Sequence, residues 1–144
     1  MNFEYSLDIP APYEHLWRLL EDVPRAAALM PGVDCINAHD DGSYGGIFRI
    51  RIGPIGVNLS GTLQVTTDQY SGLWTMTAHA EDTRTGGGVV STVETTIQKR
   101  NQLLTNMTVK AKVQFLGRLG QLGQPLIKKK ADSMVQEFTE NLKN

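Results

Sequence analysis

Residues Asn2 to Ile9 place Phe3, Tyr5, Leu7 and Ile9 in alternation with Asn2, Glu4, Ser6 and Asp8, the two-residue period of a strand with one buried face. Pro12 suits a first helical turn, where its missing N–H costs nothing. Leu16, Trp17, Leu19 and Leu20 then form an apolar stripe that predicts a short helix to about Asp22. Pro24 opens a second helical piece through Leu29, which Pro31-Gly32 must end.

From Val33 to Phe115 the β-branched residues run in segments broken by Asp40-Asp41-Gly42, Gly53-Pro54, Ser71-Gly72, Gly86-Gly87-Gly88 and Asn101-Gln102, which predicts six strands. The breaks leave no room for crossover helices, so neighbours are expected to pair as an antiparallel meander. Phe48, Ile50 and Ile52 alternate with Arg49 and Arg51, and Val57, Leu59, Leu63 and Val65 share one parity. One face is therefore apolar and the other wet, with Gly61 interrupting the apolar row at an expected bend. Beyond Phe115 the spacing lengthens: Leu119, Leu122, Leu126, Ile127, Ala131, Met134, Val135, Phe138 and Leu142 recur as on a helix. Pro125 is expected to kink that helix or split it near Gln124. The order is β-αα-β6-α: one α+β domain over residues 1–144, a seven-stranded curved antiparallel sheet facing a long C-terminal helix.

One helix stripe cannot fill the concavity of a strongly bent sheet, so this order predicts a ligand cavity between them. Parity nominates Phe48, Ile50, Ile52, Leu59, Leu63, Trp74, Met76 and Val93 from the strands and Leu119, Leu122, Leu126 and Met134 from the helix as its lining. The competing reading is a solid core made of the same side chains. Arg84 and His79 are the candidates for a polar contact with a ligand.

Composition narrows the field. A 144-residue chain with 40% hydrophobic residues and a net charge of -1 gives no general reason to seek polyanions, so nucleic acid is not an expected partner. No segment reads as a secretory leader or a membrane span. Cys35 stands alone and reads as a half-buried strand residue, and the three histidines lack a second ligand at metal spacing, so neither metal nor cofactor is expected. Gly117, Gly120 and Gly123 lack the Gly-x-Gly opening and the Lys-Ser/Thr of phosphate loops; they read as packing glycines along a helix. His79 near Glu81 and Asp82 is the one base–carboxylate pairing, but the face is expected to be solvated, and Glu94 is expected to point outward, so no catalytic residue is assigned. Residues 101 to 144 hold seven Lys or Arg against three acids, concentrated in Lys128, Lys129 and Lys130, a candidate patch for a partner or an anionic membrane surface.

Ile9-Pro10-Ala11-Pro12 before Trp17 and Leu20, Met30-Pro31-Gly32-Val33, Asp41-Gly42-Ser43-Tyr44, Gly53-Pro54-Ile55 and Gly117-Arg118-Leu119-Gly120-Gln121-Leu122-Gly123 followed by Pro125-Leu126-Ile127 resemble, in order and spacing, the carbon monoxide dehydrogenase G-subunit family of the START-like (SRPBCC) helix-grip superfamily. The resemblance implies the helix-grip fold and an accessory role beside a molybdenum hydroxylase of the carbon monoxide dehydrogenase type, in membrane recruitment or electron delivery. The expected ligand is a quinone or other lipid-like molecule. The expected location is cytoplasmic, with peripheral contact at the inner face of the membrane. Two alternatives use the same fold: a cyclase or dehydratase-type enzyme in the same cavity, and a partner-recruiting module whose cavity is incidental.

Overall fold

The computed structural model describes residues 1–84 and 86–143. β1 (Asn2–Ile9) is followed by α1 (Tyr13–Glu21) and α2 (Val23–Ala27). Six strands follow without interruption: β2 (Val33–Ala38), β3 (Tyr44–Ile52), β4 (Ile55–Asp68), β5 (Leu73–Asp82), β6 (Gly87–Asn101) and β7 (Leu104–Leu116). A 3-10 helix (Gly117–Gln121) and α3 (Gln124–Lys143) complete the chain. The strands form one antiparallel sheet in the order β1-β7-β6-β5-β4-β3-β2. The seven-stranded antiparallel sheet and closing helix expected from the pattern are present, in the helix-grip order that the resemblance implies.

Each short helix forms for a local reason. Pro12 precedes the first turn of α1, which buries Leu16, Trp17 and Leu20 and leaves Leu19 half-covered. Asp22 caps α2 by accepting from the Arg25 N–H at 3.3 Å, with Pro24 in the opening turn. Trp74 Nε1 donates to the Leu20 carbonyl at 2.9 Å and ties the end of α1 to β5. Thr105, fully buried, donates from Oγ1 to Ala11 O at 2.8 Å and ties the start of α1 to β7.

Gly61 lies opposite Ala80 on β5 and Gly46 on β3. A Cβ there would fall 2.0 Å from the His79 carbonyl oxygen, so β4 and β5 approach as closely as they do because position 61 has no side chain.

The closing segment is split near Gln124 as expected, but at Gly123 rather than at the proline. Gly117 (φ +60) turns the chain out of β7, and Gly123 (φ +85) separates the 3-10 helix from α3. Pro125 falls within the first turn of α3, where it breaks no hydrogen bond, so α3 begins at Gln124 rather than kinking there. The three glycines consequently do not share one helix face. Two are left-handed corners, and Gly120 packs near the Phe115 carbonyl.

Candidate functional site

Two sealed clusters occupy opposite ends of the concave face. At the α1 end, Ile9, Leu16, Trp17, Leu20, Ile97 and Met107 are buried, with Trp74, Val109, Phe138 and Leu142 packed on them. At the other end Ile52, Val57, Leu59 and Leu119 are buried, with Phe48, Ile50, Ala80, Val89, Phe115, Leu122 and Leu126 around them. A fully buried aliphatic side chain contributes ~1.5–3 kcal/mol, so these ends hold the fold together.

Between them the register lays two rungs across the sheet. One runs Tyr44, Leu63, Ala78, Ser91, Val113; the other runs Val65, Met76, Val93, Ala111, Phe3. Only Phe3 of these residues is buried; the other nine are half-covered although they face the concave side. The floor is lowest where Ala78, Ser91 and Ala111 place short side chains at its centre. With strands about 4.8 Å apart, a five-strand rung makes a trough about 20 Å long.

Helix α3, about 30 Å long, bridges this trough. It contacts β3 toward one side of the sheet and the edge strand β1 on the other. Leu126 packs on Gly53, where a Cβ would lie 3.1 Å from Leu126 Cδ2. Tyr5 OH donates to Asp132 Oδ1 at 2.8 Å, and Lys128 pairs with the same carboxylate while its ammonium sits 5.4 Å from the centre of the Tyr5 ring. Asn141 Nδ2 donates to Leu29 O at 2.8 Å and fastens the far end to the loop after α2. Of the described α3 residues only Ile127 is buried. The helix is held at Leu126, Asp132 and Asn141, while Ala131, Met134 and Val135 stay half-covered. Burial, then the hydrogen bond to Asp132, raise the Tyr5 phenol above its ordinary value, and hydrogen bonds from Lys128 and Tyr5 lower the Asp132 carboxyl.

The twelve residues expected to line a cavity divide accordingly. Ile52, Leu59 and Leu119 are sealed in core, and Phe48, Ile50, Leu122 and Leu126 pack against them. Trp74 packs on the opposite cluster. Leu63, Met76 and Val93 face the trough, and Met134 is half-covered on α3. Ala78, Ser91, Ala111 and Val113 were missed because they are small or weakly apolar, although the alternation through Met76 and Val93 already places them on the same face.

The polar candidates lie elsewhere. His79 is exposed on the outer face, 3.6 Å from Glu81, and does not reach the trough. Arg84 sits in the β5–β6 turn and lines an outer-face recess with Arg49 and Arg51. Glu94 points outward, opposite Lys110. Lys128 is engaged by Asp132 and Lys130 is half-covered, so the three lysines do not form one continuous free patch. His39 Nδ1 lies 3.2 Å from Ser43 Oγ, but that hydroxyl donates to Asp41 at 2.6 Å. The carboxylate thus binds the serine rather than orienting the histidine, and the trio braces the β2–β3 turn.

Among the described residues one buried side-chain group lacks a partner: Trp17 Nε1, on a side chain 3% exposed, makes no hydrogen bond. An orphaned buried N–H costs ~1–3 kcal/mol and calls for an explanation.

The family model for the G subunit of carbon monoxide dehydrogenase (CoxG) matches residues 6–144. No curated protein sequence matches the chain. Among solved structures, a conserved protein from Geobacillus kaustophilus superposes with a TM-score of 0.88 at 16% identity, covering 99% of this chain and 93% of that one. The ZhuI aromatase/cyclase from Streptomyces sp. R1128 gives 0.70 at 10% identity, covering 99% and 90%. A START superfamily protein from Mycobacterium smegmatis gives 0.66 at 10% identity, covering 99% and 94%. At these identities the likeness is one of fold.

Proposed function

The chain belongs to the CoxG family, named for the G subunit of carbon monoxide dehydrogenase, and from that premise we propose that it is a non-catalytic carrier which holds an elongated apolar molecule, a quinone or similar lipid, in the trough beneath α3. The observation that carries this reading is the uncovered middle of the concave face: Leu63, Met76, Ala78, Ser91, Val93, Ala111 and Val113 are half-covered between two sealed ends. Apolar surface left in water there is surface a ligand can cover, at ~25 cal/mol per Å². A trough about 20 Å long suits a ring with a chain better than a compact substrate.

Carrier work needs no proton transfer, and His79, Glu81 and Glu94 of the central strands are exposed on the outer face, while the buried Asp82 at the end of β5 accepts from the Asn58 and Arg84 backbone N–H groups. That placement weighs against the cyclase or dehydratase reading, although the ZhuI aromatase/cyclase shares the fold. Because the family takes its name from a dehydrogenase component, the proposed client is a molybdenum hydroxylase of the carbon monoxide dehydrogenase type, served by electron delivery or membrane recruitment. No helix among the described residues is long and apolar enough to cross a membrane, which fits peripheral contact from the cytoplasmic side.

Native mass spectrometry of the protein from its own host tests the reading, alongside titration of a naphthoquinone with a prenyl tail. Trp17 and Trp74 both belong to the α1-end cluster, so bound quinone is expected to quench tryptophan fluorescence saturably. A protein that carries no lipid and shows only collisional quenching overturns the proposal.

A further inference from the structure

The outer face of the sheet, away from the trough, carries a recess of about 300 Å³ bounded by Arg49, Arg51 and Arg84. Arg49 and Arg51 project from β3 two residues apart, and their register partners on β4 are Asn58 and Gly56. Gly56 supplies the space: a Cβ there would meet only Arg51 Nη1, at 3.8 Å. The third wall is Arg84. Its backbone N–H and that of Asn58 each donate at 3.0 Å to the carboxylate of Asp82, a residue 1% exposed. The turn that presents Arg84 is thereby fixed to the strand carrying Asn58.

We propose that this recess binds a phosphate group. Three guanidinium groups border one space, and among the described residues only Arg49 has an ion-pair partner, Asp34 at 3.1 Å. Arg51 Nη2 donates to a neutral acceptor, Pro54 O, at 3.1 Å. Cations gathered in this way repel one another unless an anion joins them. The guanidinium fork matches both carboxylate and phosphate. A carboxylate offers two oxygens, whereas a phosphate monoester offers three terminal ones, the better match to a recess lined by three arginines and Asn58. The chain's net charge of -1 provides no general attraction for anions, so any selectivity must come from this local arrangement. The phosphate belongs either to a soluble ester or to a lipid headgroup. This site is independent of the trough and of whatever occupies it.

The test is a titration of inorganic phosphate and pyrophosphate into the isotope-labelled protein, followed at the Gly56 and Asn58 amides and the Arg51 and Arg84 side chains, with acetate at matched ionic strength as control. Saturable shifts at these positions are expected with phosphate and not with acetate. In the Arg51→Gln/Arg84→Gln variant, whose replaced side chains are exposed, the affinity is expected to fall ~10-fold or more while the melting temperature holds. Shifts that match those in acetate, or that persist in the variant, overturn the proposal as an adventitious anion effect. Flotation with phosphatidylcholine vesicles, with and without phosphatidic acid, separates the sources: capture that needs phosphatidic acid and both arginines assigns the headgroup, and its absence beside a positive phosphate titration assigns a soluble ester. Loss of naphthoquinone quenching in the same variant is not expected.

Discussion

Tyr5 OH donates a 2.8 Å hydrogen bond to Asp132 Oδ1 across 127 positions of sequence, and this contact joins the edge strand β1 to the middle of α3. Because most of α3 is only half-covered, the bond and the Lys128 ammonium 5.4 Å from the Tyr5 ring centre are its side-chain hold on that flank.

The latch has a predictable pH dependence. The Asp132 carboxyl is lowered by hydrogen bonds from Lys128 and Tyr5, so its contribution is complete above the ordinary carboxylate value and is lost as the pH falls through the lowered one. The Tyr5 phenol is raised, so its contribution holds below its ordinary 10.0 and fades as the pH climbs toward the raised value. Hydrogen exchange of the α3 amides, corrected for intrinsic rates, is expected to be steady between these limits. In Tyr5→Phe it is expected to be roughly two- to tenfold faster. Equal protection in both proteins would show that the latch does not hold the helix.

Leu63 and His79 lie on opposite faces of neighbouring strands and serve as a paired test of the trough. Leu63→Asp is expected to weaken quinone binding by at least ~10-fold, since an unpaired charge in a dry site costs several kcal/mol, more than the burial of one ligand segment returns. Met134→Asp is expected to act likewise from the helix side. His79→Ala is expected to leave binding unchanged. Melting curves must accompany the titrations. A folded Leu63→Asp protein with normal affinity would displace the ligand from the trough, and a folded His79→Ala protein that lost turnover of a small substrate would favour an enzyme.

Trp17→Phe removes the buried N–H that has no partner among the described residues. Without ligand the change is expected to be mild, because relief of an orphaned donor, ~1–3 kcal/mol, offsets part of the lost packing. Thermal melts of the two proteins check this: a loss above ~3 kcal/mol would show that the buried N–H is no liability to the fold.

Replacing Pro125 with Ala is expected to change stability by less than ~1 kcal/mol, because Pro125 occupies a first-turn position where no N–H is needed. Gly123→Ala is expected to cost ~1–2 kcal/mol, since its φ of +85 suits glycine alone, even though nothing lies within 4 Å of an added Cβ. Thermal melts of the two proteins decide whether the corner or the proline sets the start of α3.

Much of this was legible along the chain. Alternation through Phe48, Arg49, Ile50, Arg51 and Ile52 assigned the two faces of β3 correctly, because strand parity is local and admits two answers only. Turn residues marked every hairpin of the meander for the same reason. The start of α3 was misread in part: its apolar spacing continues back to Leu119, but Gly123 adopts a left-handed conformation that periodicity does not reveal.

What the residues determined alone is the order of elements, the inner and outer parity of each strand and the amphipathic closing helix, since all three follow from repeats of two or 3.6 residues. Tertiary structure decided which inward residues became core and which were left uncovered. Leu59 and Leu63 share strand and parity, yet Leu59 is sealed beneath Leu119 and its neighbours while Leu63 faces the trough. It also decided that β1 closes on β7, that Arg84 joins Arg49 and Arg51 rather than the cavity, and that Tyr5 meets Asp132. Each depends on how far the sheet bends and where α3 crosses it. Both are settled by contacts between residues distant in the chain, such as Gly61 against Ala80 and Leu126 against Gly53, for which no local period carries a signal.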